Sequence, residues 1–162
     1  MAFTTTFELI SANYLTLLEQ ATPYELVQHA LRRGPRDKDL REWAKQAGSA
    51  AFRKFEIRRG DLDLEDPESM GVAVRELEEE MVITIAYPVL PALYGTGELD
   101  DLENVMRSDA TLIRDVVYDG HSYLVGQSGA KVKDLEPDRG DDRCWFQSYS
   151  VVLTYSEAQT IF

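Results

Sequence analysis

Along the first third of the chain, apolar residues recur at two different periods. Phe7, Ile10, Tyr14 and Leu17, with Leu18 beside it, fall three or four residues apart and form one helical stripe, which predicts a helix over residues 7–20. Thr5 at the N-cap with Glu8 three residues on makes a capping-box pattern, and Pro23 closes the helix. Residues 24–33 alternate loosely and read as extended, although Glu25-Leu26-Val27 also suits a helix. After the Gly34-Pro35 break, Asp37 or Asp39 caps a short helix. It carries Leu40, Trp43, Ala44 and Ala47 on one face and ends near Gly48.

The period then changes to two. Over residues 51–59, Arg53, Phe55 and Ile57 alternate with Phe52, Lys54 and Glu56, as in a half-buried strand. Residues 60–71 are acidic, contain Pro67 and offer little to pack. Strand character resumes over 72–88, strongest at Met81, Ile83, Ile85 and Tyr87, and stops at Pro88. A loop rich in proline and glycine follows over 88–97. Leu99, Leu102, Val105, Met106, Leu112, Ile113 and Val116 then mark the longest helix, over residues 99–117. Short strands are expected at 122–125 and 130–135, with Gly126 and Gly129 flanking a tight connection. An Asp/Arg/Gly turn over 138–143 leads to a last strand with Trp145, Tyr149, Val151, Leu153 and Tyr155 on one face and Gln147 in the gap. The expected fold is α+β in a single domain spanning 1–162. It is a mostly antiparallel sheet covered by helices on one side, with an N-terminal helix and one long central helix.

Composition narrows the function. In 162 residues there is room for one core, and no apolar run approaches the length of a membrane helix. The start, Met1-Ala2-Phe3-Thr4, lacks the basic and apolar regions of a signal peptide. With a single cysteine, Cys144, no disulfide can form within the chain, which suits a reducing compartment. The net charge of −12 disfavours adhesion to nucleic acid or to anionic membrane.

The distribution of charge adds to this picture. Ten basic residues stand between Leu31 and Arg59 against four acidic ones, whereas residues 61–103 hold thirteen acidic residues and one basic residue, Arg75. Two readings are open. Both blocks are solvated surface charge, or the basic block of one subunit meets the acidic block of the next in a head-to-tail ring. On the second reading, the contact residues are Arg32, Arg33, Arg58 and Arg59 against Asp61, Asp63 and Asp66. The acidic segment 60–71 is then an arm, mobile in the free subunit and ordered against a neighbour. Its Leu62, Leu64 and Met70 alternate with charges, as an added strand on a neighbour's sheet would.

Candidate chemistry is sparse. His29 and His121 lie far apart with no second His or Cys at ligand spacing, so no zinc set is expected. Cys144, in Cys144-Trp145-Phe146, reads as a core or interface thiol. Asp61-Leu62-Asp63-Leu64-Glu65-Asp66 starts like a calcium loop but lacks the glycine and glutamate that such a loop needs. Gly95-Thr96-Gly97 is followed by Glu98, Asp100 and Asp101, which would repel a phosphate. Asp109 breaks the pattern, because it falls on the apolar face of the long helix between Met106 and Ile113. A buried carboxylate needs a partner, and an arginine of the 53–59 strand is expected to supply it as a structural ion pair. No catalytic residue, cofactor or metal site is expected.

The order of elements and several local phrases resemble the tail terminator proteins of long-tailed phages, also described as neck or tail-completion proteins. The resemblance is carried by the N-terminal helix, the Trp43 helix, Phe52-Arg53-Lys54-Phe55-Glu56-Ile57 and Val82-Ile83-Thr84-Ile85-Ala86-Tyr87-Pro88. It continues in the helix bearing Arg107-Ser108-Asp109 and the closing Leu153-Thr154-Tyr155. It implies a virion protein made in the host bacterial cytoplasm. Such a protein forms a ring, typically of six subunits, on the tail tube, stops tube polymerisation and joins the head connector. DNA would pass through an acidic bore without specific binding, with Glu78, Glu79 and Glu80 as candidate lining residues. A head-completion or adaptor connector, or a bacterial regulatory or immunity protein that binds a basic partner, are the alternatives.

Overall fold

The computed structural model describes residues 6–21, 32–34, 39–46, 53–60, 74–89, 99–139 and 143–158. In chain order these form α1 (Phe7–Gln20), β1 (Arg32–Arg33), α2 (Leu40–Gln46), β2 (Lys54–Arg59), β3 (Val74–Pro88), α3 (Leu99–Tyr118), a 3-10 turn (Gly120–Ser122), β4 (Gln127–Asp134) and β5 (Cys144–Ala158). The five strands make one sheet in the order β1-β2-β3-β5-β4. Every neighbouring pair is antiparallel except β1 and β2, which run parallel, so the α+β sheet is mixed.

Local chemistry sets the ends of the elements. The N-cap of α1 is Thr6, whose hydroxyl accepts the Leu9 N–H at 3.3 Å. The expected Thr5–Glu8 box is therefore displaced by one residue, because Phe7 already takes helical geometry and the cap must directly precede it. Asp39 accepts the Glu42 N–H at 2.7 Å and caps α2. The strand expected at 122–125 gives way to the 3-10 turn, because the Asp119 side chain accepts the His121 N–H and holds the chain curled. Gly126, at φ 95°, makes the turn into β4 in a left-handed conformation that favours glycine. β4 therefore begins at Gln127, and the register shifts between Gln127 and Gly129.

Handedness distributes the helices. The β1-α2-β2 and β3-α3-β4 connections both step in the same direction across the sheet, but their strands run in opposite senses. Two crossovers of the same hand must then place α2 and α3 on opposite faces. The packing agrees. Phe7, Ile10, Tyr14 and Leu18 of α1 join Leu102, Val105, Met106, Leu112, Ile113 and Val117 of α3 over Phe55, Met81, Ile83, Ile85, Tyr149, Val151 and Leu153. On the other face, Leu40, Trp43 and Ala44 of α2 form a smaller core with Ala86, Cys144 and Phe146. Thus the two long helices cover one face, and α2 occupies one corner of the second.

Two carboxylates are buried under the long helices. Asp109 on α3 takes Nε and NH2 of Arg53 at 2.7 and 3.0 Å and the Tyr87 hydroxyl at 2.8 Å. Its two partners come from the residue before β2 and from β3, so the contact ties α3 to both strands. Glu79 on β3 accepts the Tyr155 hydroxyl at 2.9 Å, and Arg59 approaches it at 3.8 Å. Each buried charge is thereby matched by a cation and a phenol.

Burial also governs three phenols. The Tyr14 hydroxyl is pushed up to about 12 by burial, against the opposing pull of its hydrogen bond from Gln127 Nε2 at 2.8 Å. Burial first, and then the Asp109 carboxylate, raise Tyr87 well above the ordinary tyrosine range. Tyr149 is raised by the same two causes in the same order. Its buried hydroxyl has no hydrogen-bond partner among the described residues.

Two outcomes are expected. Asp109→Ala strands a buried guanidinium and lowers stability by about 3–5 kcal/mol, whereas Tyr87→Phe costs about 1–3 kcal/mol. Replacing Arg53 by Met and Asp109 by Leu together should recover much of the single-mutant loss in urea unfolding. The second outcome concerns alkali. The fold favours the protonated form of the three buried phenols, so their contribution is complete below pH 10 and drains as pH climbs above it, through about 12 for Tyr14 and higher for Tyr87 and Tyr149. Tyrosinate absorbance from three of the eight tyrosines should therefore rise only together with loss of near-ultraviolet circular dichroism. Titration of all eight tyrosines with the fold intact would contradict this.

Candidate functional site

Strand alternation and register fix what the second sheet face displays. The row beneath α2 consists of Lys54, Ala86 and Phe146. Beyond it lie Glu56, Thr84 and Ser148, then Arg58, Val82, Ser150 and Lys133, then Glu80, Val152 and Lys131, and finally Glu78 and Thr154. Away from the α2 corner, the middle of this face is built of serine, threonine and valine. Thr84 and Ser148 share a hydrogen bond of 2.8 Å, and the Ser150 hydroxyl donates to Glu80 Oε2 at 2.5 Å. At Gly60, where the chain leaves β2, a Cβ would meet the end of the Glu80 side chain, which would have to shift to admit it. The Ser150 contact holds Glu80, the central acid of this face, in place. The short side chains suit contact with a second protein surface, since they lose little rotamer freedom when covered.

The corner under α2 is pinned by cations over rings. Lys54 stands 4.9 Å from the Trp43 ring centre, and Arg41 stands 4.3 Å from that of Phe146. Glu56 accepts the Leu40 N–H at 3.1 Å and so ties the start of α2 to β2.

The basic residues expected at a subunit contact have different fates. Arg33 lies 2.6 Å from Glu19 and donates to Thr16 at 3.2 Å, which binds the β1 edge to α1. Its neighbour Arg32 is exposed on the same two-residue strand. Arg58 is exposed on the second face and pairs with Glu56 at 3.1 Å. Arg59 departs from the expected role. It lies 4.6 Å from the Phe7 ring centre and 3.0 Å from Glu8, on the covered face where Glu79 also stands. Alternation separates it from Arg58, so the two do not act as one patch. Arg59 fastens the first turn of α1 to the sheet.

Glu78, Glu79 and Glu80 likewise do not form one lining. Glu78 and Glu80 face one way, whereas Glu79 points into the core and is only 6% exposed. Adjacent strand residues cannot share a face. Asp61, Asp63 and Asp66, with the rest of the acidic segment, lie outside the described residues. Asp109 faces Arg53 in the core and is remote from solvent at 1% exposure.

Three residues singled out by the structure drew no attention in the sequence: Lys131 and Lys133 on the outer strand, and Tyr118 at the end of α3. The alternation Lys131-Val132-Lys133 was the available signal. Among the described residues, no group of three or more histidine, cysteine or acidic side chains is placed to hold a metal ion. No described helix is long and apolar enough to cross a membrane. No protein-family model matches the chain, and no curated protein matches it significantly.

Proposed function

We propose that the chain is a structural subunit that assembles with copies of itself, in the manner of a phage tail terminator ring that ends the tail tube and joins it to the head connector. The observation that carries this reading is the second sheet face. Its Ser, Thr and Val rows lie outside the α2 corner, bounded by Arg58 on one side and by Lys131 and Lys133 on the other. Such a face gains by being covered, and the acidic excess elsewhere in the chain supplies an oppositely charged surface on a neighbour. The sequence resemblance supports the ring, the tube and connector partners, the virion location and the absence of catalysis. A head-completion adaptor would use the same surface with a different partner.

Native mass spectrometry across a range of concentrations, together with negative-stain images, tests the proposal. The expected result is a closed oligomer of about six subunits that loosens as salt rises, since exposed charge pairs are screened. A monomer that persists at high concentration and low salt, with or without the tube protein, counts against it and favours a small regulatory binder. Substitutions should separate the roles of the two adjacent arginines. Arg58→Glu should weaken assembly with little change in the monomer's melting temperature. Arg59→Glu should lower the melting temperature itself, because it opposes Glu8 and Glu79.

A further inference from the structure

β4 closes one side of the sheet among the described residues. The Leu135 N–H donates to the Ser148 carbonyl at 3.0 Å, which sets the phase of the ladder. Lys131, Lys133 and Leu135 therefore direct their backbone groups at β5, and Ala130, Val132 and Asp134 direct theirs away from the sheet. A row of outward N–H and C=O groups is a template for another strand.

The middle position of that row is held by a side chain. The Val132 N–H donates to the Tyr118 hydroxyl at 3.0 Å, and that hydroxyl lies 3.4 Å from the Val132 carbonyl. Tyr118 thus stands in for both hydrogen bonds of a neighbouring strand. Its residue is 52% exposed, so little burial keeps it there.

The charges beside this edge are uncommitted. Lys131 and Lys133 are exposed on the second face, and neither has an ion-pair partner among the described residues. Arg33, Arg41, Arg58, Arg59 and Arg114 each meet a carboxylate of their own subunit. A sequence that complements the two lysines exists in the chain itself. Asp61-Leu62-Asp63-Leu64-Glu65 has acids at every second position. As a strand beside β4, it would present carboxylates at intervals of about 6.6 Å, the spacing of Lys131 and Lys133. Leu62 and Leu64 would fall on the opposite face, beside Val132 and the Tyr118 ring.

We infer that the outer edge of β4 is a strand-addition site for the acidic segment 61–65 of a second copy, with Tyr118 as the latch displaced on docking. This rests on the self-association proposed above. Lysines on an edge strand also deter unwanted pairing, and the experiment separates the two roles.

Isotope-labelled and unlabelled protein are mixed under assembly conditions and treated with a carbodiimide, which joins only carboxylates and amines in direct contact. The expected products are mixed-isotope links from Asp61, Asp63 or Glu65 to Lys131 or Lys133. Tyr118→Phe removes the competing hydroxyl and should strengthen association by about threefold to tenfold, the worth of one hydrogen bond. Lys131→Glu combined with Lys133→Glu should weaken it at least tenfold. Links confined to one isotope, or association indifferent to both substitutions, overturn the edge site while leaving self-association by another surface intact. Mixed links in an open dimer keep the edge site and overturn the ring. If the chain stays monomeric, a labelled synthetic peptide of residues 60–71 decides by fluorescence anisotropy. Binding that Tyr118→Phe strengthens supports the site, and no binding overturns it.

Discussion

A carboxylate removed from water must find both a countercharge and enough hydrogen bonds, and Asp109 imposes that demand on the centre of this protein. It meets Arg53 through two nitrogens and Tyr87 through a hydroxyl, so α3 can settle only where both strands have already been aligned. An apolar contact in its place would tolerate sliding by a residue. The ion pair does not, because a slip along β3 turns Tyr87 to the opposite face. Its main contribution is thus to register, since replacing such a pair with apolar groups is often neutral for stability.

Glu79, at the other end of the covered face, repeats the arrangement with Tyr155 and Arg59. Arg59 extends its reach to Glu8 and the Phe7 ring, so the start of α1 is fixed from the sheet side. The two buried acids lie on α3 and β3 and together locate both long helices. With the inner face committed in this way, the second face away from the α2 corner and the outer edge of β4 remain uncovered among the described residues.

Much of the architecture was legible in the chain because period and burial coincide. The Phe7, Ile10, Tyr14 stripe and the alternation from Met81 to Tyr87 are dictated by one-sided burial, and the structure buries those same residues. The need of Asp109 for an arginine was also readable, because an acid among Met106 and Ile113 has few other remedies. The side on which a helix packs was not. It depends on strand order and handedness, so the placement of α2 opposite α3 emerges only when non-adjacent strands pair. The roles of Arg58 and Arg59 were hidden for a related reason. Clustering in sequence suggests one patch, while the strand pleat sends neighbours to opposite faces. Tyr118 carried no signal, since its partner is a backbone amide fourteen residues away.

The longest ladder of the sheet joins β3 to β5 along fifteen residues each, from Val74 opposite Ala158 to Pro88 opposite Cys144. β5 follows every other described strand in chain order, yet it lies between β3 and β4. During synthesis, β3 can pair with β2 while its other edge has no partner until β5 leaves the ribosome. The apolar flank of Met81, Ile83 and Ile85 must wait through the synthesis of α3 and β4, which makes this a topology of high contact order. A chain cut short before Cys144 would lack the strand that unites the two halves of the sheet. Such a fragment would expose two strand edges at once and would be prone to aggregate. Completion of the fold therefore serves as a check on completion of the chain.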